Sequence, residues 1–287
     1  MGLFSQSSAA PSGVANVSTR LAARRALDLT LDAAQRALGA NRRIDRLAAR
    51  CPSLDPLVLG VYQRDSVILQ AVRALSAGRH RVRFVLGTLD ESSLQELDSL
   101  TLASSMRGNK FENINKLLAM LEPGGEVPRW TLLLDDDVLF PARFLERFLA
   151  LCEHFDLRLA QPAMSRRSHA SWHVTRRQPV SLVRETRFVE GGQLTAIRED
   201  AAQELLPFPP DAGMWGLDLH WAAVAADRGW RIGVVDATPV RHEIRPTAQT
   251  YSAGAALEHG QDFVRRHRAL TPEAADRTVA VHRTLRR

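Results

Sequence analysis

The chain has 287 residues, 45% hydrophobic and 24% charged, a mixture too apolar for wholesale disorder and long enough for one large domain or two small ones. Its two cysteines, Cys51 and Cys152, exclude a disulfide scaffold and fit a reducing, cytoplasmic setting. Lys and Arg outnumber Asp and Glu by 38 to 32, a net charge of +6, which suits phosphate-bearing ligands, anionic lipid or nucleic acid without choosing among them.

Residues 1–17 are small and polar and read as a disordered lead-in, lacking the charged start and apolar centre of a secretory signal. No run of about 20 apolar residues is present to span a membrane as a helix. Across 18–54, Leu21, Leu27, Leu31, Ala34, Leu38, Ile44 and Leu47 recur near helical spacing, and Gly39-Ala40-Asn41 divides the segment into two helices. Arginines fill most of the other face. This basic helical extension is expected to pack on its own domain, with peripheral contact to an anionic membrane as the competing expectation.

From residue 55 to 250 strands alternate with helices. The apolar run Leu57-Val58-Leu59-Gly60-Val61-Tyr62 reads as a buried strand, 66–77 as a helix and 81–86 as a second strand. Helical segments follow over 93–98 and 111–121. Trp130-Thr131-Leu132-Leu133-Leu134 is a third strand, stopped by Asp135-Asp136-Asp137. A helix then runs from after Pro141 to about residue 155. Further strands are expected at 157–160, 188–189, 193–197 and 231–235, with a helix over 217–228. The tail, 251–287, is polar and helix-prone and is assigned no chemistry. This order implies an α/β parallel sheet with helices on both faces and ligands bound beyond the carboxyl ends of the strands.

Three consecutive carboxylates at such a strand end repel one another unless a cation or a proton intervenes. Hard oxygen ligands suit Mg2+ or Mn2+. Because strand side chains alternate, Asp135 and Asp137 point one way and Asp136 the other. The first and third can meet a metal together, or one can hold the metal and another a ribose hydroxyl.

The run Leu132 to Pro141 resembles the metal-binding DxD segment of GT-A (Rossmann-like) fold glycosyltransferases. Gly108-Asn109-Lys110 through Asn115 resembles the G-K-x-x-x-x-N element of family 2 members, and Pro141-Ala142-Arg143-Phe144-Leu145 the helix start that follows the DxD strand. Glu190-Gly191-Gly192 with Ala196-Ile197-Arg198, Met214-Trp215-Gly216-Leu217-Asp218-Leu219, Asp227-Arg228-Gly229-Trp230 and Val240-Arg241-His242 are similar to acceptor-side elements in the same order. The resemblance covers about residues 55–245. It implies a mixed, mostly parallel sheet flanked by helices, in a GT-A domain that moves one sugar from a nucleotide-diphosphate sugar to an acceptor hydroxyl with inversion, using Mn2+ or Mg2+.

The resemblance assigns Asp135, Asp137 and His242 to the metal, and Tyr62, Asp90, Lys110, Asp135 and Asp136 to the donor. Asp218 becomes the general base, with Glu190 or Asp136 next in line. The family's glutamate before that aspartate is Leu217 here, and the Q-x-x-R-W element of processive polymerases is missing. Alternative readings are a nucleotidyltransferase making an activated sugar, or a non-enzymatic basic module for nucleic acid or anionic membrane. The strand-end sequence Val61-Tyr62-Gln63-Arg64-Asp65 lacks the glycine-rich signature of the former, and nucleic acid is not the expected partner. Sugar, base, acceptor and oligomeric state are not encoded in any motif.

Overall fold

The computed structural model describes residues 14–121, 128–242 and 253–286. The extension forms α1 (Val14–Ala37) and α2 (Ala40–Arg50), with Gly39 turning the chain between them at φ +66°. Helix α1 takes in residues 14–17, expected as disordered lead-in, and residues 1–13 lie outside the described residues. There follow β1 (Leu57–Tyr62), α3 (Ile68–Ser76), β2 (Arg83–Thr88), β3 (Thr101–Ala103), α4 (Lys110–Ala119), β4 (Trp130–Leu134) and α5 (Phe144–His154). The second half is β5 (Leu159–Met164), β6 (Val183–Thr186), β7 (Leu194–Arg198), α6 (Glu199–Leu205), α7 (Leu217–Arg228), β8 (Ile232–Val240), α8 (Ala253–Arg266), α9 (Pro272–Ala275) and β9 (Thr278–His282).

The strands form one sheet in the order β3-β2-β1-β4-β7-β5-β8-β6-β9. Strand β1 runs parallel to β2 and β4, and β5 parallel to β8; β7 enters antiparallel between β4 and β5. Strands β1 and β4 read as continuous apolar runs because helices cover both faces of the sheet. On one face Ile44, Ile68, Leu75, Phe144 and Phe148 pack against Val58, Leu132 and Leu134. On the other, Phe111, Ile114, Leu117 and Trp221 pack against Leu57, Leu59 and Leu133. Strand β4 is therefore the hinge of the topology, with a parallel neighbour on one side and an antiparallel one on the other, and the triple aspartate follows directly on it.

The extension docks in two ways. Helix α2 buries Ala40, Ile44 and Ala48 and is tied to α5 by an Asp45–Arg147 ion pair at 2.7 Å. Helix α1 departs from the expected apolar docking. Its contact face is polar: Asp28 accepts the backbone N–H groups of Arg166 (2.9 Å) and Arg167 (3.3 Å), Asp32 pairs with Arg177 at 2.7 Å, and Gln35 Nε2 donates to Ala237 O at 2.9 Å. Positions 28, 32 and 35 share one helix face, whereas Leu21, Leu27, Leu29 and Leu38 are exposed.

Other differences are local. Strand β2 lies two residues later than expected, and residues 188–189 form no strand although both are buried. The tail is more than a helix-prone appendage. Strand β9 pairs with β6, and α8 approaches the turn before α7 so closely that Gly260 abuts Trp215 and Gly216 faces the Gly260 carbonyl. Among the described residues no helix is long and apolar enough to cross a membrane.

Candidate active site

The carboxyl end of β4 carries the chemistry. Pairing with β7 continues one step past the strand: the Asp135 N–H donates to Gln193 O at 2.8 Å, and Asp135 Oδ2 accepts the Gln193 N–H at 2.7 Å. Four residues on, Leu139 and Arg241 exchange backbone hydrogen bonds of 2.9 and 3.0 Å. This bridge sets the residue after Arg241 opposite the end of the aspartate run. His242 Nε2 consequently sits 2.9 Å from Asp137 Oδ1. Ligand atoms of Asp135, Asp137 and His242 all lie within 4.8 Å of one another.

Lys110 reaches the same point from α4. That helix starts in a capping box, with Asn109 Oδ1 accepting the N–H groups of Phe111 and Glu112 and Glu112 Oε2 accepting the Asn109 N–H. Gly108, at φ +108°, supplies the turn, and a side chain there would collide with Glu112. So aimed, Lys110 Nζ donates to Asp135 Oδ1 and to Gly191 O, the latter at 2.8 Å.

Glu190, in the loop before β7, is held by β5 and by its own loop: its N–H donates to Gln161 Oε1 at 2.6 Å, and its Oε2 accepts from Gln193 Nε2 at 3.0 Å. Burial pushes the Glu190 carboxyl above the usual range, with Asp135 adding to the rise and His242 and Lys110 opposing it. Asp218 lies in the first turn of α7, where its Oδ1 accepts the Leu219 N–H at 3.0 Å. Burial first, and the Glu190 charge second, push its carboxyl up to about 7. Its side chain keeps partial exposure, because the residue is only half-buried. For His242, burial alone would lower the imidazole value; hydrogen bonding and charge from Asp137 outweigh it, with help from Asp135 and Glu190.

The donor-side assignments divide. Tyr62 is a core residue: it is fully buried, its hydroxyl lies 3.0 Å from Thr101 Oγ1, and it accepts the Leu94 N–H at 3.2 Å. It presents no ring to a nucleotide base, which corrects that expectation. Asp136 is nearly buried and Oδ2 accepts the Gln63 N–H at 2.8 Å, so it fastens the end of β1 to the end of β4. Asp90 is half-buried after β2, where Oδ2 accepts the Arg64 N–H at 2.7 Å. Sequence reasoning missed the Gly191 carbonyl and the Gln193 backbone as partners of Lys110 and Asp135. The Glu190-Gly191-Gly192 run was the available signal.

Two carboxylates and an imidazole converging in this space fit a divalent cation. The oxygens suit Mg2+ or Mn2+, and the imidazole nitrogen tilts the set toward Mn2+.

No family model matches the chain, and no curated protein matches it. Among solved structures, GalNAc-T7 with UDP, GalNAc and Mn2+ aligns with 74% of this chain and 48% of its own at 14% identity, with a TM-score of 0.51. The chain has the GT-A fold. A mannosyltransferase from Pyrobaculum calidifontis, solved with GDP-Man and Mn2+, aligns at 16% identity over 89% of this chain and 78% of its own, TM-score 0.47. TarS of S. aureus aligns at 12% over 65% and 59%, TM-score 0.43. This GT-A chain spans about half the length of the GalNAc-T7 structure, and at such identities the likeness concerns the fold alone.

Proposed function

We propose that the protein is a metal-dependent glycosyltransferase that moves one sugar from a nucleotide-diphosphate sugar to an acceptor hydroxyl with inversion. The observation that carries this reading is the convergence of Asp135, Asp137 and His242 at the end of β4 in a GT-A sheet. A cation held there would supply Lewis-acid stabilisation of charge on the departing diphosphate.

The chain's own residues supply the rest. Lys110 holds Asp135 in place and adds positive charge beside the site. Asp90, half-buried beyond β2, is the remaining candidate for the nucleoside. Asp218 takes the acceptor proton: the acceptor oxygen bonds to the anomeric carbon as the bond from that carbon to the diphosphate oxygen breaks. The electron pair leaves with the nucleoside diphosphate, and the proton ends on the Asp218 carboxylate. A carboxyl tuned to about 7 is well matched to general-base work near neutral pH. Attack from the face opposite the leaving group inverts the anomeric configuration. A cytoplasmic location fits the free thiols of Cys51 and Cys152.

A thermal-shift panel of nucleoside diphosphates with and without Mn2+ tests the reading. Selective, metal-dependent stabilisation is the expected result, because a ligand that binds only the native state raises its stability. A flat panel overturns it.

A further inference from the structure

Beyond the metal ligands, on the β5 side of β4, neighbouring stretches of backbone carry three arginines. The chain leaving β5 forms a bridge between Met164 and Arg176, and the Arg177 N–H donates to Met164 O at 2.9 Å. Arg166 follows two residues after Met164, and its N–H is held by Asp28 of α1 at 2.9 Å. Arg24 lies one turn before Asp28 on that helix. The Arg176 guanidinium thus stands among like charges: burial first, then Arg24 and Arg166, disfavour its charged form, and Glu190 opposes them from the active-site side.

Its backbone is firmly fixed. The fully buried Arg184–Asp236 pair, 2.8 Å apart, donates from Arg184 Nη2 to Arg176 O at 2.8 Å, and Asp236 Oδ1 accepts the Gln178 N–H. The buried Arg166 Nε has no hydrogen-bond partner. A buried donor left unsatisfied is costly and neighbouring guanidiniums repel, so an anion placed between these side chains would be stabilised.

The same loop reaches the proposed metal centre. Ser168 Oγ accepts the His242 N–H at 3.0 Å, and the His169 N–H donates to His242 O at 3.2 Å. The arginines and the nucleoside candidates lie on opposite sides of β4, since β1 and β2 flank it on one side and β7 and β5 on the other. Donor phosphates at Asp135 and Asp137 would be central.

We propose that Arg24, Arg166 and Arg176 bind an oxyanion, a phosphate or a carboxylate, carried by the acceptor. Planar guanidinium forks match both groups bidentately. The inference rests on the transferase reading and makes α1 part of acceptor recognition. It also explains why that helix docks through a polar face.

The test uses the full chain in chelator, so that metal-bound anion does not contribute. Inorganic phosphate and acetate are titrated by thermal shift against wild-type protein, Arg166→Gln/Arg176→Gln and the surface variant Arg24→Gln. Wild-type protein should show a saturable rise in Tm with at least one anion, weakened tenfold or more in apparent affinity in Arg24→Gln and lost in the double variant. The anion that works says whether phosphate or carboxylate is bound. Arg24 is exposed, so its variant keeps the test meaningful if the double variant does not fold.

In turnover with Mn2+ and the nucleotide sugar that stabilises best, hexose 6-phosphates or hexuronates should outperform neutral methyl hexosides by at least tenfold in kcat/KM. No anion shift, a shift equal in all variants, or preference for neutral acceptors overturns the proposal. Failure here with intact nucleoside-diphosphate binding removes only the arginine site. A flat nucleotide panel beside a normal anion shift removes the transferase reading instead.

Discussion

His242 Nε2 lies 2.9 Å from Asp137 Oδ1, although the two residues come from opposite halves of the chain. The Leu139–Arg241 backbone bridge makes this meeting possible. Neither residue is a metal ligand by spacing alone; the bridge turns a strand-end aspartate and a strand-end histidine into one donor set with Asp135.

Asp137→Ala should therefore abolish Mn2+-dependent stabilisation by nucleoside diphosphates and reduce turnover by at least about a hundredfold. The fold should persist, because the substitution removes a carboxylate at a strand end, nearly buried and paired with His242, and no hydrophobic core side chain. Calorimetric titration with Mn2+ and circular dichroism check the two halves of this expectation. Metal binding equal to wild-type would remove Asp137 from the donor set.

Asp218→Asn retains size and can still accept the Leu219 N–H through its amide oxygen, but it takes no proton from an acceptor. Transfer should fall by about 10²–10⁴, with the KM for donor close to wild-type. If donor affinity falls while transfer persists, Asp218 is a binding residue and Glu190 is the next base to test.

The pH dependence follows from the same carboxyl. With Asp218 near 7, transfer should rise with pH along a limb centred near that value, since only the carboxylate accepts a proton. In the metal-free protein the stability effect has the opposite sense. A carboxyl raised above its unfolded value of 3.8 contributes stability below that value and loses it as pH rises through about 7. Asp218→Asn should gain stability relative to wild-type between about pH 4 and 7 and hold a constant advantage above. Urea unfolding at pH 4, 5.5 and 8 measures it; an advantage that shrinks with pH contradicts the assignment.

The fully buried Arg184–Asp236 pair gives a stability prediction independent of chemistry. Arg184→Met leaves Asp236 buried without its cation and should cost about 3–5 kcal/mol. Arg184→Met with Asp236→Leu should recover a large part of that loss in chemical denaturation. A double variant as unstable as the single one would mean that the Arg184 bonds to Val174 O and Arg176 O matter more than the charge pair.

Ile44 is fully buried under the sheet-covering helix α5, whereas Leu29 is 63% exposed. Ile44→Ala should cost about 2–5 kcal/mol, and Leu29→Ala should stay within about 0.5 kcal/mol. Equal effects would contradict the docking of the extension through α2 and the polar face of α1.

Much of the fold was legible in the residues. The apolar runs of β1 and β4 are local signals, and β1, β4 and α7 occupy the expected bounds. A strand of four apolar residues and one threonine favours burial, and the aspartate run after it ends it. Strand β9 and the polar docking of α1 were not legible. Edge pairing and ion pairs such as Asp32–Arg177 depend on which surfaces meet, and no periodicity records that. Tyr62 shows the same limit: at a strand end an aromatic suits a ligand or the core equally, and Thr101 and Leu94 decided for the core. The sequence by itself determined an acidic strand end in an α/β sheet. Only the tertiary structure brought His242 to Asp137, Lys110 to Asp135 and Glu190 within electrostatic reach of Asp218, because these contacts depend on crossovers between distant strands, and burial and charge act through space.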